Sequence, residues 1–158
     1  MLFFIALLAV VVSVTDNKRH IEVFFAFYVV GVLIITLLDR TYTSRIQMIL
    51  NPFAKYGVIW DGLVSDGGKS LSENEGVIVE ILLNFLLFVP MGFLVPALQE
   101  SFRRLWKILL LGLSCSLCIE CAQLLLHMGC FEVGDLVHNS LGAAIGFGIW
   151  WKWMRVVN

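Results

Sequence analysis

Three carboxylates in this chain each have an amide one helical turn away, inside stretches that are otherwise apolar: Glu80 with Asn84, Glu120 with Gln123, and Asp135 with Asn139. A charged side chain well inside a bilayer costs roughly 2.5 to 3.5 kcal/mol on insertion scales, so three such pairs in one small chain imply a shared polar site. Carboxylates and amides at one depth can hold a polar ligand group, and partly buried carboxylates can serve as general acid and base. Either use requires the pairs to face one another, which is a question about the elements that carry them.

Of the 158 residues 59% are hydrophobic and 15% charged, and the mean hydropathy is +0.90. These values lie outside the range of a soluble domain and describe a polytopic membrane protein, with residues 1–158 forming a single domain. A formal net charge of -1 offers no basic surface for nucleic acid. The expected partners are membrane lipid and a lipid-linked cell-wall precursor or lipoglycopeptide, with no cofactor. Cys115, Cys118 and Cys121 are spaced like metal ligands but lie within an apolar run. Metal thiolates favour loops and need a fourth partner, so the expectation is helix packing and no metal.

Four apolar stretches approach or reach the ~20 residues that cross a hydrocarbon core: 21–38, 77–98, 105–126 and 136–154. A fifth, 2–14, is short for a crossing. The fold class is therefore all-α, a transmembrane bundle of about five helices with a long outer loop, 39–76, between helices 2 and 3. Ser72-Glu73-Asn74-Glu75 has the form of a capping box opening the third helix. Pro90 and Pro96 interrupt that helix, and a kink before Pro90 would widen the bundle on its outer side.

Charge asymmetry orients the bundle. Lys18, Arg19, Arg103, Arg104, Lys107, Lys152 and Arg155 fall in short segments near helix ends on one side, whereas the other side has Arg40, Arg45, Lys55 and Lys69 spread over the long loop. The first side is expected to be cytoplasmic, with the N-terminus outside and the C-terminus inside a bacterial plasma membrane. All three pairs then lie near the outer interface. On the fifth helix Asp135, Asn139, Gly142 and Gly146 share a stripe, so the polar residues coincide with a Gly-x-x-x-Gly packing surface. The arrangement predicts a polar pocket open to the outer surface and closed below by apolar packing.

Within the outer loop, 46–60 mixes apolar, aromatic and basic residues, as suits a segment lying in the interface or folded back over the bundle. Residues 62–72 have the composition of a mobile loop. Gly67-Gly68-Lys69-Ser70 fails the spacing of a phosphate-binding loop. Arg45 is the expected cation for the acidic cluster, with a solvated interfacial role as the alternative.

Taken in order, Arg45, Asn51-Pro52-Phe53, Glu80, Asn84, Phe88, Pro90, Gly92, Glu120, Gln123, Gly129, Asp135, Asn139, Gly142 and Gly146 resemble the VanZ-like family of small bacterial membrane proteins, most strongly over 45–148. Asn51 adjoins Pro52 where the family commonly has two residues between them. Cys130 and Gly134 stand where family members often carry an arginine and a second acid. The resemblance implies a multi-pass envelope protein associated with resistance to teicoplanin-type glycopeptides, a family whose biochemical activity is not established.

Three functions compete. The pocket binds a polar group of a lipid-linked or lipopeptide ligand at the outer leaflet. Alternatively, Glu80 and Glu120 act as general acid and base in a membrane-embedded enzyme, with Asp135 orienting one of them. Alternatively, the pairs form an interhelical hydrogen-bond network that only fixes helix register.

Overall fold

The computed structural model describes residues 18–38, 47–64 and 71–157. The short apolar stretch 2–14, Arg45 and the Gly67-Ser70 motif lie outside the described residues. Because lipid cannot hydrogen-bond to the backbone, the apolar runs become helices that satisfy it internally. Helix α1 is Lys18–Leu33, continued by a wider π turn at Ile34–Leu38. A two-residue strand β1, Met48–Ile49, and a short helix α2, Ala54–Val64, follow. Helix α3 is Leu71–Leu98, and a 3-10 turn at Glu100–Phe102 leads into α4, Leu105–Leu125. The strand β2, Phe131–Glu132, precedes α5, Val133–Val157. Strands β1 and β2 pair in parallel, Met48 with Phe131 and Ile49 with Glu132.

Three of the helices are long and apolar enough to cross a membrane, over Lys18–Leu37, Asn74–Leu98 and Leu105–Leu125. Helix α5 has 25 residues, a span of about 37 Å at 1.5 Å per residue and so longer than a ~30 Å core. It is nonetheless not among those apolar enough, because Asp135, His138, Asn139 and Lys152 interrupt its apolar character. Asp135, His138 and Asn139 are instead covered by other protein elements, with α3 and α5 forming the most extensive helix pair and α4 lying along α5, while Lys152 is exposed.

That pairing depends on missing side chains. A Cβ at Gly142 would collide with the carbonyl of Phe85, one at Gly146 with that of Val89, and one at Gly92 with that of Ala143. Around this seam lie Phe88, Met91, Val95, Ile108 and Ala143 as one buried cluster. Ile21, Phe93, Leu94 and Trp150 form a second. At that far end Arg103 lies over Trp150 and Arg155 over Trp151, so cationic and aromatic side chains share one end of the bundle.

Two local expectations change. Ser72 already has helical backbone in α3, so it is not an N-cap. Buried Asn74 lies instead against α2, where Gly62 leaves room for its side chain. Of the stretch 62–72, the first three residues belong to α2 and the last two to α3. Helix α3 also runs through Pro90 and Pro96 as one helix, with the Pro96 carbonyl accepting from Arg103 Nε at 3.3 Å.

Gly142→Ala and Gly146→Ala are each expected to lower the stability of the purified protein by about 2 kcal/mol through overpacking. Gly148→Ala, whose Cβ meets nothing within 4 Å, should leave it unchanged. Thermal unfolding in detergent measures all three; equal midpoints for Gly142→Ala and Gly148→Ala would mean that α3 and α5 do not approach this closely.

Candidate functional site

Asn51 and Pro52 start the site. The Asn51 side-chain oxygen accepts from the backbone N–H of Phe53 at 3.0 Å, and its carbonyl accepts from that of Ala54 at 3.2 Å. Asn as a turn-former followed by Pro, with its fixed φ, opens a helix directly. Helix α2 therefore begins one residue before Lys55. The turn rests on α5, where Gly134 keeps space for the Pro52 carbonyl.

Lys55 Nζ lies among three carboxylates: 2.6 Å from Asp135 Oδ1, 3.0 Å from Glu132 Oε2 and 3.3 Å from Glu80 Oε1. The lysine side chain is 11% exposed and that of Asp135 4%, whereas Glu80 at 37% remains at the edge. Burial works against the ammonium, but hydrogen bonding and attraction from Asp135, then Glu132, outweigh it and hold Lys55 above the ordinary lysine range. Glu132 is also pushed up, because its burial and its neighbours Asp135 and Glu80 outweigh Lys55. Both partners move the same way because one ammonium is shared by three acids. The β1–β2 ladder fixes Glu132, whose backbone N–H donates to Glu120 Oε2 at 2.9 Å.

Beneath this cluster the remaining amides are buried. Asn139 Nδ2 donates to Ser116 Oγ at 2.8 Å, joining α5 to α4. Gln123 Nε2 donates at 2.8 Å to the carbonyl of Thr36 at the end of α1, one of the carbonyls a helix terminus leaves without an internal partner. His138 Nε2 is 2.9 Å from the Tyr56 hydroxyl, and its Nδ1 is 3.8 Å from Asp135 Oδ1. Helix α4 closes with Met128 N–H donating to the Gln123 carbonyl and His127 in the left-handed conformation at φ 56°, the form of a Schellman cap.

The open volume lies beside this cluster. A groove of about 930 Å³ runs between α1 and α3, lined by Phe27, Gly31 and Ile35 on one side and Val79, Leu83 and Leu87 on the other. Glu80 and Asn84 line it, and Glu120 does not. Asn84 Nδ2 is buried with no hydrogen-bond partner. Tyr28 donates to the Leu87 carbonyl at 2.7 Å, tying the two walls together.

The structure thus gathers Glu80, Asn84, Glu120, Gln123, Asp135 and Asn139 at one end of the bundle and divides them. Glu120, Gln123, Asp135 and Asn139 are buried, while Glu80 and Asn84 border the groove. The cation among the described acids is Lys55; Arg45 falls outside the described residues. Sequence reasoning missed Lys55, Glu132, Tyr56 and His138. The available signal was a lysine three residues after a helix-opening Asn-Pro and a second acid three residues before Asp135. Among the described residues no group of three or more His, Cys, Asp and Glu side chains is placed to hold a metal.

The sequence pattern of the VanZ/LLP1 family matches residues 25–155, most of the chain. The chain belongs to the VanZ/LLP1 family. No curated protein and no solved structure matches it. The matched region takes in every residue of the Lys55 cluster and both walls of the groove, except Phe24 at its foot. With its apolar helices, this VanZ/LLP1 member is an integral membrane protein.

Lys55→Met leaves buried carboxylates without their cation and is expected to destabilise this VanZ/LLP1 fold by about 3 kcal/mol. Adding Asp135→Asn should recover part of the loss. Unfolding midpoints of the single and double variants in detergent test this; a double variant less stable than Lys55→Met would mean that the pair is not the source.

Proposed function

We propose that this VanZ/LLP1 protein lies in a bacterial plasma membrane and binds a lipid-linked or lipoglycopeptide ligand at the outer leaflet, contributing to tolerance of teicoplanin-type antibiotics. The observation that carries this reading is the groove beside the cluster, apolar along most of its length and lined by Glu80 and by Asn84, whose buried Nδ2 has no hydrogen-bond partner among the described residues. Its size lies at the upper end of the roughly 300 to 1,000 Å³ of small-molecule sites. A paired-carboxylate enzyme has less support, since Glu120 is buried, accepts from the Glu132 backbone and does not line the groove.

The purely structural reading has its own observation. Asn139 with Ser116 and Gln123 with the Thr36 carbonyl link helices without offering a ligand anything. The two readings assign different residues. Glu80→Gln and Asn84→Ala are expected to leave membrane abundance and unfolding midpoint within the wild-type range while teicoplanin tolerance falls, in proportion to a loss of ligand affinity of about tenfold or more. Asn139→Ala should lose stability and tolerance together. Wild-type tolerance in Glu80→Gln and Asn84→Ala would remove the ligand-binding reading.

The proposed orientation puts the Lys55 end outside. Lys18, Arg19, Arg103, Arg104, Lys107, Lys152 and Arg155 occupy the opposite helix ends, and the usual excess of Lys and Arg in cytoplasmic segments supports this orientation. In intact cells a membrane-impermeant maleimide should label half-buried Cys130 and an exposed Leu50→Cys reporter on the same end. Cys115, Cys118 and Cys121, within the α4 span, should stay unlabelled. Protection of both reporters until the membrane is opened would reverse the orientation.

A further inference from the structure

The groove between α1 and α3 has a measurable length. It extends from Phe24 to Thr36 on α1 and from Gly76 to Pro90 on α3, about 20 Å at ~1.5 Å per residue. That exceeds the ~15 Å half-thickness of a hydrocarbon core. Both walls are helices apolar enough to span, so among the described residues the groove is open at the depth of the lipid tails along most of its course. Gly31 and Gly76 line it, and a Cβ built on either meets nothing within 4 Å. The space they leave is thus a property of the groove and not of helix packing, unlike that at Gly142 and Gly146.

Glu80 and Asn84 stand toward the end where α3 begins, and the Tyr28 hydroxyl further along is taken up by the Leu87 carbonyl. Among the described residues the charge at that end is unbalanced: one ammonium, Lys55, serves Asp135, Glu132 and Glu80, and Glu80 is the most distant of the three at 3.3 Å. Glu80 is also the most exposed of them. The surplus negative charge repels a phosphate or carboxylate and attracts a second cation. One turn further into the groove, Asn84 has a buried Nδ2 without an acceptor, a state that costs free energy until an oxygen fills it. A hydrocarbon chain joined to its head through an ester or amide supplies that oxygen at the right depth.

Building on the ligand-binding reading above, we propose that the occupant is a membrane lipid that lays one hydrocarbon chain along the α1–α3 groove, places its ester or amide carbonyl at Asn84 and its ammonium head at Glu80. The full-length protein, purified in detergent, tests this by calorimetric titration with three probes sharing one chain and one amide: N-palmitoyl-ethylenediamine, its N-acetylated neutral form, and N-palmitoylglycine. The ammonium probe should bind at least about tenfold more tightly than the neutral one, a difference of 1.4 kcal/mol, and the carboxylate probe most weakly. Glu80→Gln should bring the ammonium probe to the neutral level. Gly31→Leu, or Gly76→Leu as a second variant, should abolish binding of all three with the unfolding midpoint unchanged. Equal binding of the three probes, blocked by Gly31→Leu, would overturn the ammonium assignment and leave the groove as the ligand site. No binding of any probe would overturn both. So would a fall in midpoint for both glycine variants, which would show the groove closed by protein in the folded state.

Discussion

One ammonium held among three carboxylates organises this end of the molecule. Lys55 reaches them from a short helix outside the bundle, while Glu80 comes from α3, Glu132 from the strand before α5, and Asp135 from the first turn of α5. In a medium of low effective dielectric an uncompensated buried charge is far more costly than the pair is favourable. The constraint therefore acts mainly by exclusion. Any arrangement that lifts α2 away leaves carboxylates unpaired, so α2, the β1–β2 ladder and the start of α5 are held as one unit. Asp135 also stands in the first turn of α5, where the helix dipole favours negative charge.

Below that unit the polar side chains serve the backbone and the helix contacts. Gln123 answers a carbonyl at the end of α1, and Asn139 and Ser116 answer each other across α4 and α5. Lipid provides no substitute partners, so these bonds set where each helix ends relative to its neighbours. The seam between α3 and α5 then proceeds by backbone proximity at Gly92, Gly142 and Gly146. Polar pairing at one end, small-residue packing in the middle and aromatic and cationic groups at the other end divide the bundle into zones with different physics. The α1–α3 groove escapes all three, because α1 meets α3 through a tyrosine bond at Leu87 and a few apolar contacts.

Much of this was legible in the sequence because the relevant signals are local. Apolar runs of spanning length, the Gly142 and Gly146 spacing and the uneven distribution of Lys and Arg each concern residues within a few turns of one another. The fold class followed from them, and the family from the ordered set of residues between Arg45 and Gly146. What escaped was long-range. Lys55 and Asp135 are 80 positions apart, and nothing nearby in the chain says which face of a half-apolar helix will meet them. Arg45 was the expected cation instead, because it lies in the outer segment on the same side as the acids. Glu132 was hidden for a related reason: its carboxylate reaches the cluster from a strand two residues long, too short for any periodicity to announce. The role of Asn51 was masked by its adjacency to Pro52, which the structure shows to be the condition for starting α2 at once. The Ser72 cap fell for the opposite reason, since the helix had already begun.

Helix α5 has a consequence for how the protein is made. It carries Asp135, His138 and Asn139 on a surface sealed by α3, α4 and α2, and by composition it is a poor candidate to enter lipid alone. Its main partner, α3, is synthesised before it. Insertion of α5 is therefore a docking event at a surface already in place, so that a fault in α3 would strand α5 at the point of biogenesis and not merely loosen the finished bundle.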